Sequence, residues 1–430
     1  MSIKKAPIHR VVAPTLLTIM LSACGSSSDS VVDDLLDEGI EEAIATCDEA
    51  NAAEVDSVDV APIFAFASTA ASDFSAGQYE RISISETPVL SGCTTPGLSD
   101  VFVVTDGEFA YGLGRSSQDS LTQFDIESLE ANSQFSLIGA DATTANPHDV
   151  VFVNDTRAYV ARYDTGMVWI INPSATTDAE FFLGTIDLSV YDDDGATQMT
   201  AMDLIGDNLY VLMQRLDIFT PSDASYLAVF DVSGAVGEEV EIATGMGADG
   251  LDGIELPVTN VQEMFFNEAT NDLIITAAGD FFGSTGGTPL ERLQGGIIAV
   301  DATDFTLEVL VDDNVLNPEP ADGEELVPEF FDTATIVSAD KGYIVSGAEF
   351  GVSFLRSFNP TTGIVNPETL ADFDGVNITT LQVSPSGNVW VGINDEINPG
   401  FDVLNPDDDS LVGERILTEL NPNTVVFISR

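Results

Sequence analysis

NPHDVVFVNDTRAYVARYDTGMVWIINPS, residues 146–174, decides the fold. Two runs rich in β-branched and aromatic residues, VVFV and AYVARY, flank the polar stretch Asn154-Asp155-Thr156-Arg157. A third run, MVWII, follows Asp164-Thr165-Gly166. Apolar runs this short, punctuated by Asn, Asp, Thr and Gly, read as strands joined by tight turns. These punctuating residues either bond their own backbone or tolerate positive φ.

The pair recurs along the chain: VFVV-TDGE-FAYGLG from Val101, AMDLI-GDN-LYVLM from Ala201, MFF-NEATND-LIITAA from Met264, TATIV-SADKG-YIVSG from Thr333 and LQV-SPSGN-VWVGI from Leu381. A third run follows each pair, at 121–126, 167–172, 227–232, 296–301, 352–359 and 401–405, and a looser fourth usually comes after, as at 180–188 and 307–311. A period of roughly 40 to 60 residues holding four strands predicts one propeller blade per repeat, because such a sheet buries its faces only against its neighbours. At the N-terminal end, 62–68, 78–84 and 87–91 read as three strands lacking a first partner, and 423–429 reads as a first strand lacking its sheet. Pairing them closes the ring and removes open edges. The expectation is an all-β, seven-bladed β-propeller over residues 61–430, with six or eight blades as the alternative counts.

These units, residues 146–174 above all, resemble the bacterial extracytoplasmic propellers of the YVTN and NHL-like kind, over roughly residues 60–430. The resemblance implies a propeller in an extracytoplasmic setting. That group holds binding proteins, assembly factors and enzymes, so it implies no single function.

The N-terminus agrees with such a setting. Lys4, Lys5 and Arg10 precede an uncharged run from Val11 to Leu21, and Leu21-Ser22-Ala23-Cys24 supplies a small-residue cleavage site. This predicts a signal peptide over residues 1–23. The cysteine at the cut resembles the lipobox of bacterial lipoproteins, which implies lipidation of Cys24 and a membrane anchor. Gly25 stands where an aspartate would resemble an inner-membrane retention signal, so the expected location is the outer membrane, periplasmic or surface-facing. Residues 24–60 read as a flexible tether and a short amphipathic helix at 31–46. Cys47 and Cys93 then remain as an expected disulfide in an oxidising compartment.

The full chain carries a formal charge of −59, and losing Lys4, Lys5 and Arg10 with the leader takes it to −62. That charge repels nucleic acid and anionic headgroups. It also suits a saline exterior.

Propeller geometry puts the start of each inner strand, the second-to-third loops and the inter-blade loops on one face, with the first-to-second turns on the other. The long segments 189–199, 214–225, 244–260, 280–294 and 312–331 all fall on the first face, where binding on a rigid scaffold concentrates. At its channel mouth the reading places Asp100, Asp149, Thr200, Glu263, Asp332, Thr380 and Asn423. Four of these are acids, Asp100, Asp149, Glu263 and Asp332, and converging carboxylates suit calcium. The competing reading is that they cap strand ends and hydrate the channel. His148 is the only histidine beyond the leader and stands as a polar contact or a general base. Phe281, Phe282, Phe330 and Phe331 are either partner-face residues or inter-blade core. No G-x-S-x-G, phosphate-binding glycine loop or zinc pattern is found.

Two functional readings follow. One is a membrane-anchored, non-enzymatic binding or scaffold propeller, with an outer-membrane transporter or envelope protein as partner. The other is a calcium-dependent hydrolase or lactonase with His148 as base. A quinone-dependent redox propeller is disfavoured by the scarcity of basic residues.

Overall fold

A computed structural model describes residues 63–429 except 85–87, 95–96, 141, 218, 222, 249 and 318–325. The leader, Cys24, the 31–46 helix and Cys47 lie outside the described residues.

The regular structure of the described chain is almost all β-strand, broken by one four-residue helix and three single 3-10 turns, and arranged as a propeller. Five sheets stand separately. The second runs outward through Val101–Thr105, Ala110–Gly114, Ser120–Phe124 and Ala131–Ser136. The third takes Pro147–Asn154, Arg157–Arg162, Met167–Ile171 and Phe182–Asp187. The fourth begins Met199–Ile205, Asn208–Met213, Tyr226–Asp231, and the fifth Val261–Asn267, Asp272–Ala277, Gly296–Asp301. The first is built from both ends of the chain: Asn421–Ser429 lies innermost, then Ile63–Ala70, Gly77–Ile84 and Val89–Cys93. The pairing of the chain's two ends follows the expected arrangement, with Phe66 opposite Val426.

The expected seven blades do not appear as seven separate sheets. Apart from a two-stranded hairpin, Leu216–Asp217 with Thr220–Pro221, the remaining strands form one nine-stranded sheet. It contains a meander from Phe330–Ser338 through Lys341–Glu349 to Val352–Asn359, and another from Asp374–Val383 through Val389–Asn394 to Gly400–Asn405. They merge because Asp374–Val383 starts early enough for Val376 and Asp374 to pair with Ser353 and Phe354.

The repeat's apolar runs have a packing cause. Each second strand is sandwiched between neighbouring sheets, so Leu209, Tyr210, Val211, Leu212 and Met213 are all fully buried. Alternate side chains enter different layers. Leu209, Val211 and Met213 join the cluster shared with the third sheet, while Tyr210 and Leu212 join the one shared with the fifth. A strand buried on both faces therefore reads as continuously hydrophobic rather than alternating.

A buried acid marks the seam where the chain ends meet. Glu80 is wholly buried and accepts hydrogen bonds from Thr69 Oγ1 at 2.7 Å and Gln78 Nε2 at 3.2 Å. It also accepts from the backbone N–H groups of Glu419 at 3.2 Å and Leu420 at 3.3 Å, just before the closing strand. Burial pushes its carboxyl up to about 7 against these stabilising bonds.

Candidate functional site

The innermost strands share a local irregularity near their starting ends. The ladder between first and second strands slips between Pro147 and Asp149, Met199 and Ala201, Val261 and Met264, Phe331 and Ala334, and Ile378 and Thr380. The closing strand slips at the same level, where Ser68 pairs Thr424 but Thr69 pairs Pro422. Val101–Thr105 alone keeps regular register. An extra residue in a strand is left outside the ladder and its side chain is re-aimed. His148, Thr200, Asp332 and Asn423 are such residues, which is why polar groups recur at this level. In the last inner strand the extra residue is Thr379. Thr380 pairs with Gly392 and is buried, so the expected mouth position is displaced by one.

These polar groups mainly tie each inner strand to the next. Asp149 accepts from Val150 N at 2.7 Å and from Met202 N of the next sheet at 2.8 Å. Thr200 Oγ1 donates to Gln262 O at 3.0 Å, and Asn423 Nδ2 to Val101 O at 3.3 Å. Thr424 Oγ1 accepts from Val103 N at 3.0 Å. The Thr333 hydroxyl donates to Glu263 Oε2.

Burial raises Asp149 and Asp332 to about 6 and Glu263 to about 7, with Asp332 adding repulsion at Glu263. Glu263 and Asp332 remain open to the channel, yet enough protein surrounds them for lost hydration to dominate. The four expected carboxylates do not gather into one cation cluster. Asp100 stands apart, 3.5 Å from Arg115 Nη1 and accepting from Ser116 N. Among the described residues no three His, Cys, Asp or Glu side chains come together as a metal-holding group.

His148 belongs to a polar chain across the mouth that sequence reasoning missed. Its ring stacks on Tyr163 with centroids 4.1 Å apart, and its Nε2 faces an Arg115 amino group. Arg115 lies 4.2 Å above the Phe102 ring. Tyr163 Oη donates to Gln214 Oε1 at 2.6 Å, and Gln214 Nε2 donates to Val261 O at 2.7 Å. Burial first, then the Arg115 charge, holds His148 well below its ordinary range. It is therefore a neutral acceptor for arginine rather than a base poised near neutral pH. A signal was present: Arg115, Tyr163 and Gln214 each directly follow the second strand of successive repeats.

The rim around the mouth is unusually apolar. Phe74, Phe219, Phe282, Val327, Phe350 and Ile397 are all exposed, Phe282 by 62% and Ile397 by 83%, and all sit in loops on the long-loop face. Among the described residues, Val236 is the one large apolar side chain exposed within a turn of the opposite face, and Val89, Phe182, Val240, Ile364 and Leu411 are exposed in the outer strands bordering those turns. Of the expected partner-face phenylalanines, Phe282 is exposed, and half-buried Phe281 meets it edge-on at 5.1 Å. Phe330 and Phe331 are buried, because their strand begins at Phe330 and carries both rings into the packing.

No family model matches the chain, and no curated protein matches it. Solved structures do resemble it. A protein from Lactobacillus plantarum superposes with a TM-score of 0.58 at 14% identity, over 86% of this chain and all of that one. A putative 6-phosphogluconolactonase from Bacteroides uniformis superposes with a TM-score of 0.55 at 14% identity, over 85% of this chain and 99% of that one. At such identities the likeness shows the propeller fold alone.

Proposed function

We propose that the chain is a lipid-anchored, extracytoplasmic binding propeller, held at the outer membrane through Cys24 and working through its long-loop face on an envelope partner. The observation that carries this reading is the one-sided exposure of large apolar side chains. Among the described residues, loops on one face display six large apolar side chains, Phe74, Phe219, Phe282, Val327, Phe350 and Ile397, whereas the turns proper of the other face display one, Val236. Displayed apolar area of this kind marks interaction surfaces. The leader and Leu21–Cys24 motif support export and anchoring.

The proposal includes seven blades, with the nine-stranded sheet counted as two. The innermost strands support this count, since each packs against the next from Val101–Thr105 round to Asn421–Ser429 and back. It also includes a Cys47–Cys93 clasp. The disulfide-bonded state of buried Cys93 supports that pairing, as does its place opposite Glu80 at the seam. The same seam holds a cleft of about 960 Å³ lined by Ile63, Ile84, Leu90, Trp390 and Ile416.

The test is site-specific photo-crosslinking in intact envelopes. A benzophenone side chain at Phe282 or Phe350 should give a discrete adduct, and one at Val236 or Ile364 should not. Equal adducts from both sets, or none from either, would refute the face assignment.

A further inference from the structure

On the long-loop face, two neighbouring loops are locked together into a notch. The fourth sheet contributes a small hairpin, Leu216–Asp217 paired with Thr220–Pro221. The fifth contributes the loop 280–294. Buried Asp280 organises that loop by accepting from the Thr285 hydroxyl, Thr285 N at 3.2 Å, Ser284 N at 2.9 Å and Ser284 Oγ at 3.0 Å, bonds that hold its carboxyl below the usual range against the burial. Ser284 Oγ also lies 3.2 Å from Phe219 O, joining the two loops. Between them opens a cavity of about 700 Å³ whose lining includes Asp223, Thr285, Gly287, Glu291 and Gln294. The same two loops carry three exposed apolar side chains outside that lining: Phe219, Phe282 and Leu290. The Phe219 and Phe282 rings lie 6.0 Å apart.

Charge decides what such a surface accepts. Asp223 and Glu291 are exposed beside the cavity. The arginines on this side are committed within the fold. Arg215 donates to Tyr191 O and Ala224 O, and reaches Asp223 only at 4.0 Å. Arg292 donates to the carbonyls of Asp280 and Phe281. Arg115 and Arg415 are paired to Asp100 and Asp402. The notch thus presents aromatic faces and carboxylates together, in a chain of formal charge −59. Aromatic faces attract cations, and carboxylates pair with ammonium or guanidinium groups. An anionic lipid surface would be repelled.

We propose that this notch docks a partner protein through a segment in which lysine or arginine alternates with apolar residues, the cationic side chains entering the cavity lined by Asp223 and Glu291 and the apolar ones packing on the exposed Phe219/Phe282 pair. The proposal rests on the long-loop face being the working face and adds the partner's chemistry.

The probe is a fluorescent amphipathic peptide of leucine and lysine, compared with a leucine and glutamate peptide of the same length. Binding to the mature chain is measured by anisotropy at near-physiological salt. The wild type should bind the lysine peptide and not the glutamate one. Phe219→Ser/Phe282→Ser and Asp223→Asn/Glu291→Gln should each weaken binding at least about tenfold, and Val236→Ser on the opposite face should not, by analogy with buried anchors at interfaces. All replaced side chains are exposed, and the carboxylate pair gives an independent reading should the phenylalanine pair disturb the loops. Equal binding by every variant would mean general attraction to a polyanion, and overturns the notch. No peptide binding by the wild type overturns it too. Retention on phosphatidylcholine vesicles, abolished by Phe219→Ser/Phe282→Ser, would replace the protein partner with a lipid surface. Face-specific crosslinks together with a failed peptide test would sink the partner chemistry and leave the face assignment standing.

Discussion

Replacing Glu80 with glutamine should flatten a pH dependence that the seam imposes on stability. Glu80 is wholly buried, so its raised carboxyl needs no discount for solvent screening. Its folded value of about 7 against an ordinary 4.5 means the folded chain holds that proton more tightly than the unfolded chain does. For an acid shifted upward, ionisation destabilises the fold. The cost is fully present above pH 7 and is relieved as pH falls through 7 towards 4.5. With about 1.4 kcal/mol for each pH unit between the two values, the full cost is about 3 kcal/mol, and lowering the pH from 8 to 5 relieves most of it. Asp149, Glu263 and Asp332 shift in the same direction, so the wild type alone cannot isolate Glu80. The assay is urea unfolding of wild type and Glu80→Gln at both pH values. The wild type should gain about 2–3 kcal/mol more than the variant on acidification. A difference between the two proteins that stays the same at pH 8 and pH 5 would refute the buried-carboxylate argument.

Other consequences are quicker to check. Leu212→Ala, in a strand buried on both faces, should cost about 2–5 kcal/mol in the same unfolding assay. A cost below about 1 kcal/mol would contradict that packing. Because no three carboxylates gather among the described residues, calcium should raise the melting temperature no more than sodium chloride at equal ionic strength. A calcium-specific rise would reinstate a cation at the channel mouth. Cys24→Ser should abolish labelling by radioactive palmitate, and persistent labelling would remove the anchor. Cys93→Ser should lower unfolding free energy by about 2–4 kcal/mol under oxidising conditions and leave it unchanged relative to wild type in reductant, the usual worth of one disulfide.

Much of the architecture was legible because a blade's second strand has neighbours on both faces. LYVLM and YIVSG announce their burial without any alternation to decode. The seam was legible for a different reason: 423–429 had strand character but no sheet of its own. The merging of two meanders was not legible, since it turns on where Asp374–Val383 begins, and strand boundaries depend on tertiary pairing. At the mouth, the acids stood out in the sequence, but which of the two roles each takes, tying strands or holding a cation, was not legible. A carboxylate that accepts a neighbouring strand's amide and one that waits for a cation are the same letter in a sequence. Thr380 for Thr379 shows the further limit: a bulge moves a side chain without changing any residue. His148 drew attention as a lone histidine. Its partner Arg115 came from another repeat, and only the ring arrangement brings them together.

The innermost strand of the first sheet is the last nine-residue strand of the chain, and the hydroxyls of Ser68 and Thr424 meet across 356 residues of intervening sequence. The earliest strands to be synthesised therefore have to wait for the latest before their own sheet is whole. Until then the ring is a broken circle with two raw edges, each a template for a neighbouring molecule. A premature stop that removes a few per cent of the chain would not shorten this protein so much as leave it unfinished. Asn421–Ser429 acts as a latch, sealing only those molecules whose synthesis has passed Ser429.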